Sequence, residues 1–145
     1  GRFFENGIIM NRILQCFVDW TKNKIRHHIS ESLIVIYFRE KEVWWVALGQ
    51  NIGYEINGKH KLFERHVLII KKYSENMCFV LPLSSQIKQP LPWYQVVVNI
   101  DGDISAVNIT QGRTISSKRL LRKLDVLNSA SYQIICDKFV KQFIK

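Results

Sequence analysis

The feature that most constrains this chain is a change of hydrophobic period at Glu42. Before it, Ile9, Ile13, Cys16, Phe17, Trp20 and Lys24 recur at helical spacing with polar residues between them. This stretch predicts an amphipathic helix of about five turns. It ends in the basic stretch Lys22 to His28, whose charge suits the negative end of a helix dipole. Ser30 to Arg39 is ambiguous, because Leu33 to Phe38 fits a buried strand and a collapsed connector equally well.

After Glu42 the apolar and β-branched residues come in short runs broken by turn residues, which is the pattern of strands. Val43 to Leu48 is one run, closed by Gly49. A long polar loop follows from Gln50 to about Glu64, and loops of that length in small domains are commonly functional. His66 to Tyr73 and Met77 to Leu83 read as strands joined at Ser74-Glu75-Asn76. Tyr94 to Ile100 should pair with Ile104 to Ile109 across Asp101-Gly102-Asp103, a strong hairpin signal. The two aspartates there are turn chemistry rather than an acid–base pair. Arg113 to Lys123 reads as basic and short-helical, and Asn128 or Ser129 can cap a final helix with the stripe Tyr132, Ile135, Phe139 and Phe143. Short strands with a helix at each end predict an α+β chain built on a small, strongly bent antiparallel sheet or barrel. The division expected is a helical extension and connector over 1–38 and a domain over 39–145, with Met10 a candidate start of translation.

Charge narrows the partners. The net charge is +9, and eight basic residues against two acidic ones lie from Arg113 to Lys145. That excess favours a polyanion, and hydroxyl-bearing strands beside it favour phosphate. The cysteines, Cys16, Cys78 and Cys136, are odd in number and far apart, so a reducing, cytoplasmic setting is expected. The histidines are not at metal-ligand spacing from them, and no metal or other cofactor is expected. No apolar run reaches the length of a membrane span. A glycine-rich phosphate loop and a nucleophile elbow are both missing from the sequence.

What remains is a set of cations and hydroxyls at strand ends: Arg65, then Ser84 and Ser85 after Pro82, then Arg113 after the hairpin. Cleaving an RNA phosphodiester requires deprotonating a 2′-hydroxyl, stabilising a developing dianion and protonating the 5′-oxygen. Guanidinium, hydroxyl and imidazole groups in one cleft can share those roles.

Several ordered fragments then resemble the PemK/MazF toxin family. They are Glu42-Val43-Trp44-Trp45-Val46-Ala47-Leu48-Gly49, Asn51-Ile52-Gly53-Tyr54-Glu55 with Asn57-Gly58-Lys59, and Arg65-His66-Val67-Leu68-Ile69-Ile70. Val80-Leu81-Pro82-Leu83-Ser84-Ser85 and Gln111-Gly112-Arg113-Thr114-Ile115, with Ser117-Lys118-Arg119-Leu120, complete the set. The resemblance implies an SH3-like barrel that forms a homodimer and acts as a metal-independent endoribonuclease on single-stranded RNA. Attack by the 2′-hydroxyl would leave a 2′,3′-cyclic phosphate and a 5′-hydroxyl. A cognate antitoxin would fill the RNA groove. Arg65 falls on the family's catalytic arginine, and Ser84 on its catalytic threonine. Gln50 to Glu64 would be the loop over the site. The candidate RNA contacts are Lys59, Ser85, Trp93, Arg113, Lys118, Arg119 and Lys123. Dimerisation is also expected from the apolar surface of Val43 to Leu48 and of the last helix.

The chain departs from the family pattern at named positions. His66 replaces the proline after the catalytic arginine, Ser116 replaces an acidic residue, and Lys41 replaces a glycine. One branch of the family uses an Arg and an Asp where this chain has Asn108 and Thr110, so that version of the mechanism does not apply. His66 is either a strand residue facing away from Arg65 or a general acid or base. Trp44 and Trp45 read as core, and Trp93 as the residue placed to stack a base. Two other functions fit the same fold: a non-catalytic RNA- or protein-binding module, and a relative that poisons a topoisomerase.

Overall fold

A computed structural model describes residues 2–29, 36–48 and 64–144, with side chains of the first helix given over 12–25. The expected loop from Gln50, and Lys59 on it, lie outside the described residues. Helix α1 spans Arg2–Ile29, and no proline interrupts it. It is longer than the periodicity suggests, at roughly 1.5 Å per residue about 42 Å. Gly7 weakens a helix without ending it.

Among the described residues seven strands follow: β1 Glu42–Ala47, β2 Glu64–Ser74, β3 Met77–Ser84, β4 Gln95–Ile100, β5 Asp103–Asn108, β6 Arg113–Ser116 and β7 Leu120–Val126. Helix α2, Ser129–Lys141, ends the order, and Asn128 caps it by accepting from Ser131 N–H at 2.8 Å. The sheet runs β4-β5-β3-β2-β1-β7, with β6 also paired to β3. All its pairings are antiparallel. The result is a curled antiparallel half-barrel with a helix at each end of the chain.

One expectation is corrected. Arg113 to Lys123 is not a short helix but two strands joined by a single 3-10 turn, Ser117–Arg119. Thr114 and Ile115 pair with Phe79 and Cys78, while Arg122 and Lys123 pair with Trp45 and Trp44. Available sheet edges decided the local conformation, with Lys118, Arg122 and Lys123 on the solvent side and Arg113 and Arg119 partly buried.

Strands β1 and β3 are mostly buried on both faces, which is why they read as continuous apolar runs, while β2 is enclosed at Val67 to Ile69 and reaches solvent at its Lys71 to Ser74 end. Trp44, Val46, Leu48, Val67, Ile69 and Val80 fill the inside of the curl with Phe38, Ile115 and Leu120. Val43, Leu68, Leu81 and Leu83 form a second core with β4, β5 and Ile135 of α2. Tyr132 fastens α2 further by donating its hydroxyl to the Ile70 carbonyl. Because Val43 to Leu48 are almost wholly enclosed, they supply no surface for dimerisation, contrary to expectation. The connector ending at Phe38 forms no strand over 36–39, and Phe38 itself plugs the inner core.

Two backbone positions explain sequence features. Asp101 and Gly102 take φ of 49° and 84°, and Ile100 pairs with Asp103. That is a two-residue hairpin whose positive angles suit Asp-Gly. Lys41 takes φ of 75° at the place where the family pattern has glycine. Its N–H donates to Ile69 O at 3.0 Å and its carbonyl accepts from Leu127 N–H at 2.8 Å, so neighbouring strands impose the angle. Helix α1 docks through Trp20 against Ala47 and Leu121, beneath the Arg119 guanidinium 5.5 Å from the indole centroid. Ile13, Leu14, Phe17 and Val18 remain exposed.

Candidate active site

Arg65 and Ser84 lie past the end of the β2–β3 ladder. Its last pairs are Leu68 with Leu81 and Val67 with Pro82. Arg65 and Ser84 each stand two residues beyond, and both line the smaller groove described below. Arg65 Nη1 donates to Leu83 O at 3.0 Å, and burial pulls its guanidinium pKa down from the ordinary value. Ser84 is the last residue of β3, where the chain leaves the sheet. Its hydroxyl accepts from Gln86 N–H at 3.1 Å and donates to Gln86 O at 3.5 Å.

Two grooves meet at Arg65. The smaller, about 420 Å³, is lined by Arg65, Ser84, Gln86, Lys88, Tyr94, Gln95, Asn108, Thr110 and Gln111. The larger, about 720 Å³, takes in Trp45, Glu64, His66, Ser85 and the hairpin turn at Asp101 and Asp103. Arg65 belongs to both. His66, one residue on, lies on the opposite face of β2, paired with Trp45. Their ring centroids are 3.6 Å apart at 53°. Arg122 covers the same indole at 4.9 Å and forms an ion pair with Glu64 at 3.2 Å.

The other candidates scatter. Trp93 is exposed and stands edge-on to Tyr94. Arg119 bonds Ala47 O and Leu48 O at 3.2 and 3.3 Å, where it ties the end of β1 to the Trp20 contact. Burial, then the neighbouring Arg113 charge, lowers its pKa. Lys123 is ion-paired with the enclosed Glu42 at 3.0 Å. Lys118 is exposed on the 3-10 turn. None of Trp93, Arg113, Lys118, Arg119 and Lys123 lines either groove. Among the described residues, no three His, Cys, Asp or Glu side chains stand together as metal ligands. All three cysteines are free, and burial raises the Cys78 thiol to about 11, which leaves it protonated and unreactive.

Sequence reasoning missed the amides Gln86, Gln95, Asn108 and Gln111. A signal was available for two of them. The hairpin register pairs Gln95, the first residue of β4, with Asn108, the last of β5, so two polar residues close the valine-rich hairpin at its open end.

A curled antiparallel half-barrel with terminal helices has the architecture of the MazF-like toxins. The family described as PemK-like, MazF-like toxin of type II toxin-antitoxin system matches residues 39–143, and the chain belongs to it. Helix α1 lies outside the matched span. Among solved structures, MazF (Form-I) from Deinococcus radiodurans aligns with a TM-score of 0.61 at 16% identity, covering 74% of this chain and 98% of that one. MazE-MazF (Form-II) from the same organism gives 0.55 at 14%, over 74% and 97%. An endoribonuclease in complex with its cognate antitoxin from Mycobacterial species gives 0.53 at 12%, over 74% and 95%. At these identities the likeness is one of fold. No curated protein matches the chain in sequence. No helix among the described residues is long and apolar enough to cross a membrane.

Proposed function

We propose that this protein is a metal-independent endoribonuclease toxin that cuts single-stranded RNA and is held in check by a cognate antitoxin. The observation that supports this reading is that Arg65, bonded to the Leu83 carbonyl beside Ser84, lines the smaller groove together with Ser84. In the reaction, the 2′-oxygen forms a bond to phosphorus as the bond from phosphorus to the 5′-oxygen breaks. A proton leaves the 2′-hydroxyl and one is delivered to the 5′-oxygen. Arg65 supplies positive charge where the non-bridging oxygens become more negative, and Ser84 adds a neutral donor. Ser85 extends the hydroxyl edge into the larger groove. Arg113 and Lys118 contribute positive field for the flanking strand, with Lys59 and Trp93 as further contacts. Two copies of the chain pair in solution, and the antitoxin covers the groove. The cytoplasm is the expected place of action.

The test is digestion of a short single-stranded RNA by the purified chain, with and without EDTA. Cleavage that survives the chelator, with new 5′-hydroxyl ends that a polynucleotide kinase labels without prior phosphatase, is the expected outcome. Loss of cleavage in EDTA and recovery with magnesium would overturn the mechanism. Binding without cleavage would leave an RNA-holding module. Elution at twice the monomer mass is expected at micromolar concentration.

A further inference from the structure

The floor of the smaller groove is two amides at the open end of a valine-rich hairpin. Gln95 and Asn108 are 4% and 7% exposed and face each other across β4 and β5. A buried amide left without partners is costly, so how these two are turned matters. The backbone decides it. Lys88 N–H can only donate, and it meets Gln95 Oε1 at 3.1 Å. Gln86 C=O can only accept, and it meets Gln95 Nε2 at 3.3 Å. Those two contacts fix the Gln95 amide with Nε2 toward Asn108. Asn108 must then present Oδ1, which lies 3.3 Å away. The opposite orientation would set N–H against N–H. The Asn108 amide nitrogen is therefore turned away from Gln95 and toward the groove, and among the described residues it has no hydrogen-bond partner.

We propose that Asn108 Nδ2 donates to a non-bridging oxygen of the RNA phosphate that Arg65 binds, and that Gln95 is the positioning residue that aims it. This rests on the endoribonuclease reading above. The ligand chemistry follows from the lining. Arg65, Lys88 and the Asn108 amide nitrogen supply donors there, beside Thr110 and Gln111, which can donate or accept. A phosphate offers acceptors only, whereas a base edge would present donors and acceptors together. The non-bridging oxygens gain charge as the 2′-oxygen attacks. A fixed donor is therefore worth more in the transition state than in the bound substrate. Asn108 transfers no proton and stays an amide throughout. Aligned where one branch of the family has an Arg, it supplies a hydrogen bond without the charge.

The test pairs single-turnover cleavage of a short RNA by the full chain with binding of its uncleavable 2′-deoxy counterpart. Asn108→Ala should lose about 10²-fold in cleavage rate, the usual effect of removing one such donor, while binding of the 2′-deoxy strand weakens by much less. Asn108→Asp, which puts an acceptor where the donor was, should lose at least as much. Gln95→Ala should lose less alone and add nothing to Asn108→Ala, the signature of two residues acting through one contact. A measurement on the wild-type chain makes the test independent of variant folding: the side-chain amide resonance of Asn108 should shift when the 2′-deoxy strand is added. That resonance should shift less in Gln95→Ala. Wild-type cleavage by Asn108→Ala, or an Asn108 resonance that stays put while backbone resonances around Ser84 move, would overturn the assignment while leaving the nuclease reading intact. A loss confined to one base sequence would overturn it in favour of base reading. If the wild-type chain cleaves no RNA, the nuclease reading fails and this assignment fails with it.

Discussion

Arg65 is tied to the strand that carries Ser84: its Nη1 donates to the carbonyl of Leu83 at 3.0 Å. That bond ties the guanidinium to the backbone of the residue next to Ser84. Such fixing is what makes a donor effective where transition-state charge develops.

The first prediction follows from that bond. Arg65→Ala should lower single-turnover RNA cleavage by about 10²–10³-fold, the range seen for loss of one well-placed donor. Ser84→Ala should cost less, because a neutral hydroxyl makes a weaker hydrogen bond than a charged group. Ser84→Thr keeps the hydroxyl and should cleave nearly as well as wild type. If Arg65→Ala cleaves like wild type, the site lies elsewhere.

His66 is separated from Arg65 by strand alternation and stacked on Trp45. The second prediction is that His66→Phe, which keeps a flat ring in the stack, leaves cleavage and its pH dependence largely unchanged. A large fall in rate with unchanged RNA binding would instead make the imidazole the acid or base.

How much of this was legible beforehand depends on what each residue answers to. Arg65 and Ser84 were legible as a cation and a hydroxyl at the ends of neighbouring strands, but their mutual placement was not, because the β2–β3 ladder shifts register twice between the turn at Ser74 and Val67. The strands β6 and β7 were not legible either, since Arg113 to Lys123 carries basic residues on a short segment and its conformation is set by the edges of β3 and β1. Arg119 and Lys123 were grouped with Lys118 by charge alone. Their partners, Trp20 and Glu42, are far away in sequence, and only the fold shows that both cations are engaged internally.

Glu42 gives a third prediction. Burial raises its pKa, but the bonds from Lys123, Trp44 and the Arg39 N–H outweigh that, and the net shift is downward. A carboxylate depressed in the fold contributes stability that is present above its unfolded pKa and lost as pH falls through the folded one. Glu42→Gln should therefore destabilise the protein at neutral pH, by on the order of 1.5–3 kcal/mol for a bond to a charged partner. The gap between the two proteins should narrow as denaturation is followed down through the carboxylate range. A gap independent of pH would rule out the linkage.

Gly112 supplies a fourth. A Cβ placed there would lie 2.4 Å from Phe79 Cζ and 3.0 Å from Leu81 Cδ2. Phe79 cannot easily yield, because its ring packs against Phe139 of α2 at 5.4 Å. Gly112→Ala should cost roughly 1–3 kcal/mol, the usual range for overpacking a filled core. Thermal denaturation measures it, and a melting temperature equal to wild type would show that the ring moves aside freely.

The last prediction separates two adjacent cations that the sequence presents as equivalent. Lys118 is exposed on the 3-10 turn, while Arg119 holds the carbonyls of Ala47 and Leu48 and covers Trp20. Lys118→Ala should leave the melting temperature alone and weaken RNA binding across sequences. Its signature is a salt dependence shallower by about one phosphate contact. Arg119→Ala removes both the carbonyl bonds and the cover over the indole, so α1 should loosen from the barrel. Faster amide exchange around Trp20 and Ala47, together with a lower melting temperature, would register that loosening. If the two variants instead share one salt slope and one melting temperature, Arg119 serves the RNA and not the docking of α1.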